Sequence, residues 1–352
     1  MSENKILIGE LPTGCRLCEK GAKAVLFLTG QCDNQCSYCP VSVERKNKDI
    51  TYINEKEVSS REDLLHELKS MNALGTGITG GEPLLCYERL IRYLKIIKEE
   101  LGGDHHVHLY TTKPIDVEKQ NRLKMYGLDE IRYHFPGLNY SSKLHKSLEL
   151  SSRKFDTGIE LPSIPNYEEE IIDLIEKINE PIDFLNLDEL EFSESNFEKL
   201  KERGFRGESR LNNSIKGSKR TAKKVFKELK PEFEFTLHFC SSSFKDSVQL
   251  KNRYRRKSKN IKNEYEEITE DGTLLKAVLS GTSSKEIYNK LKKNFGVPEK
   301  LIEINKETNN VETAWYVAEE LSEELNSLDI EANLIEFYPT EDRFVVQKIP
   351  LT

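Results

Sequence analysis

The 352-residue sequence has no stretch approaching the roughly 20 apolar residues that a membrane helix needs. Its opening, MSENKILIGELPTG, lacks an apolar signal core and an Arg-rich amphipathic segment. A cytoplasmic protein with no membrane partner is therefore expected. Internal repeats and low-complexity segments are also missing, which argues against a solenoid or a disordered tail. Cysteines do not come in pairs: there are 7, and those at 15, 18, 32, 36 and 39 crowd into one short stretch. That is a poor disulfide framework for a chain this long and points to metal or cluster ligation.

A composition of 37% hydrophobic and 32% charged residues describes a globular protein with a highly charged surface. The length allows one large domain or two to three smaller ones. The net charge of −7 is uneven. Residues 201–262 hold 19 Lys plus Arg against 6 Asp plus Glu, a local +13 that leaves −20 for the rest. Such a basic block suits an anionic partner.

Apolar runs alternate regularly with helical patterns. Strands are predicted at 24–30, 76–79, 106–113, 130–135, 157–165 and 184–192, with helices at 60–75, 86–103, 117–127, 140–154 and 167–179 between them. This β-then-α order implies a parallel α/β barrel or a doubly wound sheet. After about 201 come a basic helix, a short strand at 233–240 and a second basic helix at 243–262. The Asp-Gly pair within 266–279 predicts a hairpin. Helices at 284–295 and 312–327, with strands at 300–304, 331–337 and 343–349, complete a small α+β domain. The expected divisions are an N-terminal Cys-x2-Cys segment (1–23), a core (24–200), a basic helical region (201–262) and the α+β domain (263–352).

The chemistry lies in CDNQCSYCP, where Cys32, Cys36 and Cys39 have a C-x3-C-x2-C spacing. Three thiolates on one loop can hold three corners of a cubane cluster and leave the fourth iron open to a ligand. A structural zinc knuckle is the other reading, but it would want a fourth ligand nearby. About 40 residues on, one strand along, stands GITGGEP, whose Gly80 and Gly81 allow close backbone approach to a small charged group.

The loop after the first strand, Tyr38 before its last cysteine and GGEP at the second strand together resemble the radical S-adenosylmethionine (SAM) superfamily. The resemblance implies a partial (β/α)6 barrel with a [4Fe–4S] cluster on Cys32, Cys36 and Cys39. It places SAM against Tyr38, Gly80, Gly81 and Glu82. Reductive cleavage of SAM then yields a 5′-deoxyadenosyl radical that abstracts hydrogen from a substrate, fed by an electron donor such as ferredoxin or flavodoxin. Thr111, Thr112, Lys113, Glu160 and Asn186, at later strand ends, are further candidates for SAM contact, since barrel sites lie at C-terminal strand ends. His134 could face the same pocket.

Cys15 and Cys18, with His238 and Cys240, could form a second site for zinc or another Fe–S cluster if the fold unites them. The alternative is a set of unrelated cysteines. His105, His106 and His108, split by strand alternation, suggest no site. Arg253, Tyr254, Arg255 and Arg256 would suit RNA, with a phosphate-binding stripe and one ring for stacking; Lys216, Lys219, Arg220, Lys223 and Lys224 form a similar face. A solvated helix face explains both equally simply. Three functions follow: RNA modification, with tRNA as substrate; hydrogen abstraction from a glycine of a partner protein, as in the archaeal relatives of pyruvate formate-lyase activating enzymes; or non-catalytic electron transfer or binding.

Overall fold

In HVHLYT, EIRYHF, GIELP and FLNLDE polar side chains recur at every second position. Successive strand residues point to opposite faces, so each strand presents one apolar face and one face carrying chemistry. The computed structural model describes all residues except 1–4, 179–181, 210–211 and 231–232. Asn179, which ends the helix predicted at 167–179, and four residues of the 201–262 stretch lie outside the described residues.

The chain divides into two units, Met1–Lys69 with Ala73–Leu250, and Ser70–Asn72 with Lys251–Thr352. In the first, β1 (Lys5–Ile8), β2 (Lys23–Phe27), β3 (Tyr52–Ile53), β4 (Lys56–Glu57), β5 (Gly75–Thr79), β6 (His106–Thr111), β7 (Glu130–Tyr133), β8 (Asp156–Ser163), β9 (Phe184–Glu189) and β10 (Thr236–Cys240) form one sheet. The strand order is β1-β10-β9-β8-β7-β6-β5-β2-β3-β4. The run from β2 through β5 to β10 is parallel throughout. Antiparallel β1 and β3 flank it. Among the described residues the two edges do not pair with each other, so this is the open, partial barrel expected from the resemblance. The strand predicted at 233–240 enters it as β10, a seventh parallel strand, and the lead-in segment contributes β1.

The apolar strand faces make the core with the helices. Val107, Leu109, Ile131, Ile159, Leu185 and Phe239 are all fully buried. The helix Glu168–Ile178 buries Ile171, Leu174, Ile175 and Ile178, a single stripe at helical spacing. Gly158 is required on β8 because a Cβ there would stand 2.1 Å from the Phe184 ring. The opposite faces of β6 to β10 turn their polar residues toward one another.

The second unit is an antiparallel sheet of β11 (Glu267–Ile268), β12 (Leu274–Ser280), β13 (Ile302–Ile304), β14 (Val311–Thr313), β15 (Glu331–Phe337) and β16 (Val345–Pro350). β11 and β12 form the predicted hairpin at Asp271-Gly272. The helix predicted at 312–327 begins instead with β14, and helices Trp315–Glu320 and Ser322–Ser327 follow. Ala277, Leu279, Val311 and Ala332 pack with Ile287 and Leu291 of the helix Ser284–Lys293.

One buried ion pair stands out in this unit. Glu312 accepts from Lys276 (2.6 Å), Tyr265 (2.8 Å) and Asn305 (2.8 Å). Removing the carboxylate strands a buried ammonium, which costs about 3–5 kcal/mol. Glu312→Ala should lower the stability of this unit by that amount in urea unfolding followed by fluorescence of Trp315, the sole tryptophan. A loss below about 1 kcal/mol, the scale of an exposed pair, would contradict the assigned role.

Candidate active site

Four backbone and side-chain donors converge on one carboxylate at the C-terminal end of the barrel. Glu82 is fully buried. It accepts from Leu84 N (3.0 Å), Thr111 Oγ1 (2.8 Å), Thr112 N (2.7 Å) and Thr112 Oγ1 (2.6 Å). The end of β5 is thereby fastened to the end of β6. Thr112 Oγ1 also accepts from Asn34 Nδ2 at 2.7 Å, and Lys113 pairs with Asp33, so the cysteine loop is tied to the same point. The sequence reading set Gly80, Gly81 and Glu82 against SAM; the Glu82 oxygens also bond within this network.

The loop is held at its base by Gly30, whose N–H donates to Lys48 O (2.8 Å) while its carbonyl accepts from Asn47 N (2.9 Å). A Cβ at Gly30 would meet Arg45 O at 1.7 Å. Gly80 adopts φ +145°, and a Cβ at Gly81 would lie 2.3 Å from Gln31 O. These glycines let the GGEP turn lie directly on the cysteine loop.

Cys32, Cys36 and Cys39 are free thiols, and with Tyr38, Gly80 and Gly81 they line one cavity of about 1090 Å³. Thr111, Thr112 and Glu160 line it from the other strands. Asn34 N donates to Cys32 Sγ at 3.4 Å. Burial pushes the Cys36 thiol up, and the neighbouring Cys39 and Cys32 push the same way against a hydrogen bond with Tyr38. Three thiols on one short loop suit an iron cluster, whose natural ligands are thiolates. Tyr38 is fixed by His134 Nε2 (2.9 Å) and Gly137 N (3.0 Å), and His134 Nδ1 contacts Glu160 O (2.9 Å). Burial holds the His134 imidazole below its usual pKa. It orients Tyr38.

Below the cavity lies a polar ladder that the sequence reading did not assemble. Arg132, fully buried, binds both Glu130 and Glu160. Asn186 donates to Glu160 Oε2 (3.1 Å), and its Oδ1 faces His238 Nδ1 (3.1 Å). Asn186 thus stands in this network, outside the residues lining the cavity. Burial raises Glu160, but the Arg132 guanidinium and hydrogen bonds from Asp188, Asn186 and Arg132 outweigh it and hold the carboxyl at about 2. Asp188, on the cavity wall, is pushed to about 7 by burial and by Glu160, against Lys245 at 3.3 Å. The signal for this ladder was present as polar residues at alternate positions of β6 to β9.

The second set, Cys15, Cys18, His238 and Cys240, is linked through other side chains. Cys15 accepts from Arg132 Nη2 and Asn186 Nδ2, each at 3.4 Å. Gln249 accepts from Cys18 at 3.0 Å and donates to Cys240 at 3.5 Å. Among the described residues, no three ligand atoms of Cys15, Cys18, His238 and Cys240 lie within 4.8 Å of one another. The residues assigned to RNA are largely engaged within their own unit. Arg256 Nη2 donates to Asn72 O (2.7 Å), Tyr254 packs on Tyr338 (5.2 Å between centroids) and Arg253 lies over Tyr254 (5.7 Å). Arg255 is exposed. No helix among the described residues is long and apolar enough to cross a membrane.

Comparison with known proteins agrees with this geometry. The family model for the radical SAM superfamily matches residues 26–180, and one for a domain of unknown function matches 272–351. A protein of Methanocaldococcus jannaschii named "Putative glycyl-radical enzyme activating enzyme" is 39% identical over 361 residues, 97% of this chain and 93% of that one. Among solved structures, SAM-bound SuiB of Streptococcus suis is 15% identical with a TM-score of 0.43, over 65% of this chain and 53% of SuiB. Methylornithine synthase gives 14% and 0.43 over 62% and 67%. These two values add nothing to the assignment. The chain belongs to the radical SAM superfamily, a family of enzymes whose members use a [4Fe–4S] cluster and SAM.

The Asp188–Glu160 pair makes stability depend on pH. A carboxyl raised in the folded state contributes stability that is complete below its ordinary value near 3.8 and lost as pH rises through about 7. Asp188→Asn removes that contribution. The stability of wild type minus variant, from urea unfolding followed by far-UV circular dichroism, should fall between about pH 4 and pH 7. A difference that stays flat would contradict the raised Asp188 carboxyl.

Proposed function

We propose that this chain is an activating enzyme that installs a radical on a partner protein, by taking a hydrogen atom from a glycine of that partner. The observation that carries this reading is the identity to the Methanocaldococcus jannaschii protein over nearly the whole length of both chains, C-terminal unit included. Cys32, Cys36 and Cys39 would hold the cluster, and Gly80, Gly81 and Thr112 would meet the amino-acid end of SAM. Tyr38, fixed by His134, would lie against the adenine. Glu82 is a positioning residue. When bound, the cluster and SAM supply reductive cleavage and the hydrogen-abstracting radical, with the electron coming from a ferredoxin- or flavodoxin-like donor.

Room for a substrate supports the reading. Pockets for one drug-sized ligand occupy about 300–1,000 Å³. The cavity here, at about 1090 Å³, is at the top of that range and takes in residues from the cysteine loop across to β9. The protein's own contribution is orientation and exclusion of water from the reacting atoms. Nothing in the fold or the comparisons supports an RNA substrate, and Arg253, Tyr254 and Arg256 have partners of their own.

The test uses the anaerobically reconstituted full chain with reductant, SAM and fractionated cell extract. About four irons per chain should bind, and Cys36→Ala should abolish both tight iron and 5′-deoxyadenosine formation. Stimulation of 5′-deoxyadenosine release should be destroyed by protease and resist ribonuclease, and the stimulating protein should acquire a glycyl-radical electron paramagnetic resonance signal. Stimulation destroyed by ribonuclease would overturn the assignment in favour of RNA.

A further inference from the structure

At the opposite end of the parallel strands from the cysteine loop, two histidines are buried with nothing bonded to their rings. His106 and His108 stand two apart on β6 and share a face, while Glu130 begins β7 in register with His108. Ligand atoms of His106, His108 and Glu130 all lie within 4.8 Å of one another. His108 is fully buried and His106 nearly so, with 10% of its side chain exposed. All four ring nitrogens are buried, and none has a hydrogen-bond partner. Buried polar groups in native proteins nearly always have partners, so four such atoms in one place point to an occupant.

The surroundings define its chemistry. His106 Nε2 lies 3.5 Å from Glu130 Oε2, which also accepts from Gly14 N at 3.1 Å. Glu130 itself is fully buried. His108 is packed between Gly14 and Gly77, where added Cβ atoms would approach its ring nitrogens to 2.6 and 2.5 Å. The cations facing the rings are Arg132 and Lys23. Glu130, Asp129 and Asp156 are the carboxylates that act on His106, and Arg132 is itself held by Glu130 and Glu160. Burial pushes both imidazoles below their ordinary pKa, toward the neutral ring that offers a lone pair.

We propose that His106, His108 and Glu130 bind a zinc ion through two imidazole nitrogens and one carboxylate oxygen. Two histidines with one carboxylate is an established donor set for zinc, whose filled d shell imposes no geometry of its own. The ion ties β6 to β7 and, through Glu130 and Gly14, to the helix Thr13–Glu19. It lies roughly 10 Å along β6 from Thr111, so it belongs to the barrel floor and takes no part in SAM chemistry. It is also separate from the Cys18–Gln249–Cys240 contact.

The full chain, purified anaerobically, is stripped with a chelator, offered zinc, desalted and analysed for zinc and iron together. The wild type should retain about one zinc per chain. His106→Gln and His108→Gln should each weaken zinc binding by at least about tenfold, with iron content and circular dichroism unchanged. Cys18→Ser should leave zinc untouched. If His108→Gln does not fold, His106→Gln, nearer the surface, decides alone. Folded wild type that retains no zinc, retention unaffected by the histidine changes, or zinc lost with Cys18→Ser would each overturn the proposal; in the first case water fills the site.

Discussion

The Glu82 carboxylate is the constraint on which the site's geometry rests. A fully buried carboxylate is tolerable only when its lone pairs are met by donors, and here four are supplied from two strand ends. Because the Thr112 hydroxyl donates to Glu82 and accepts from Asn34, the chain of bonds runs from GGEP through β6 to the cysteine loop. Three segments far apart in sequence are thus set in one arrangement by the protein's own bonds. Preorganisation of this kind spares a reacting site the cost of ordering itself.

The barrel interior extends the same logic downward. Its strands alternate so that their outer faces are apolar and their inner faces carry His, Arg, Glu, Asn and Asp. Arg132 stands at the centre, joined to carboxylates above and below. Toward the cavity, Glu160 stays ionised beside Arg132 and pushes Asp188 up; toward the floor, Glu130 lies beside two histidines. A low-dielectric interior strengthens each of these contacts and makes each unpaired group costly. The ladder therefore has to be complete, and the histidine pair is where the protein alone does not complete it.

Much of this was legible in the sequence. The C-x3-C-x2-C loop and GGEP placed the site, because cluster ligation and close backbone approach need those residue types at those spacings. Alternating strands and helices gave the parallel sheet. What pairwise motifs could not show was which polar groups would satisfy one another. Glu82 and Asn186 read as candidates for SAM contact, while their bonds to Thr111 and Thr112, and to Glu160 and His238, have no local signature. The strand at 233–240 was visible, but its membership in the barrel depends on pairing with β9, a long-range contact with no local signature. Histidines 105, 106 and 108 were read as split by strand alternation, whereas His106 and His108, two apart, share a face beside Glu130.

A cluster on Cys32, Cys36 and Cys39 and a SAM site at the Glu82-anchored turn would work as one device. Electron paramagnetic resonance of the reduced, reconstituted protein tests it directly, with SAM titrated in. Adding SAM should alter the cluster spectrum of the wild type. In Glu82→Gln, which loses about one charge-assisted hydrogen bond, the same change should need roughly tenfold more SAM. Identical wild-type spectra with and without SAM would contradict the account.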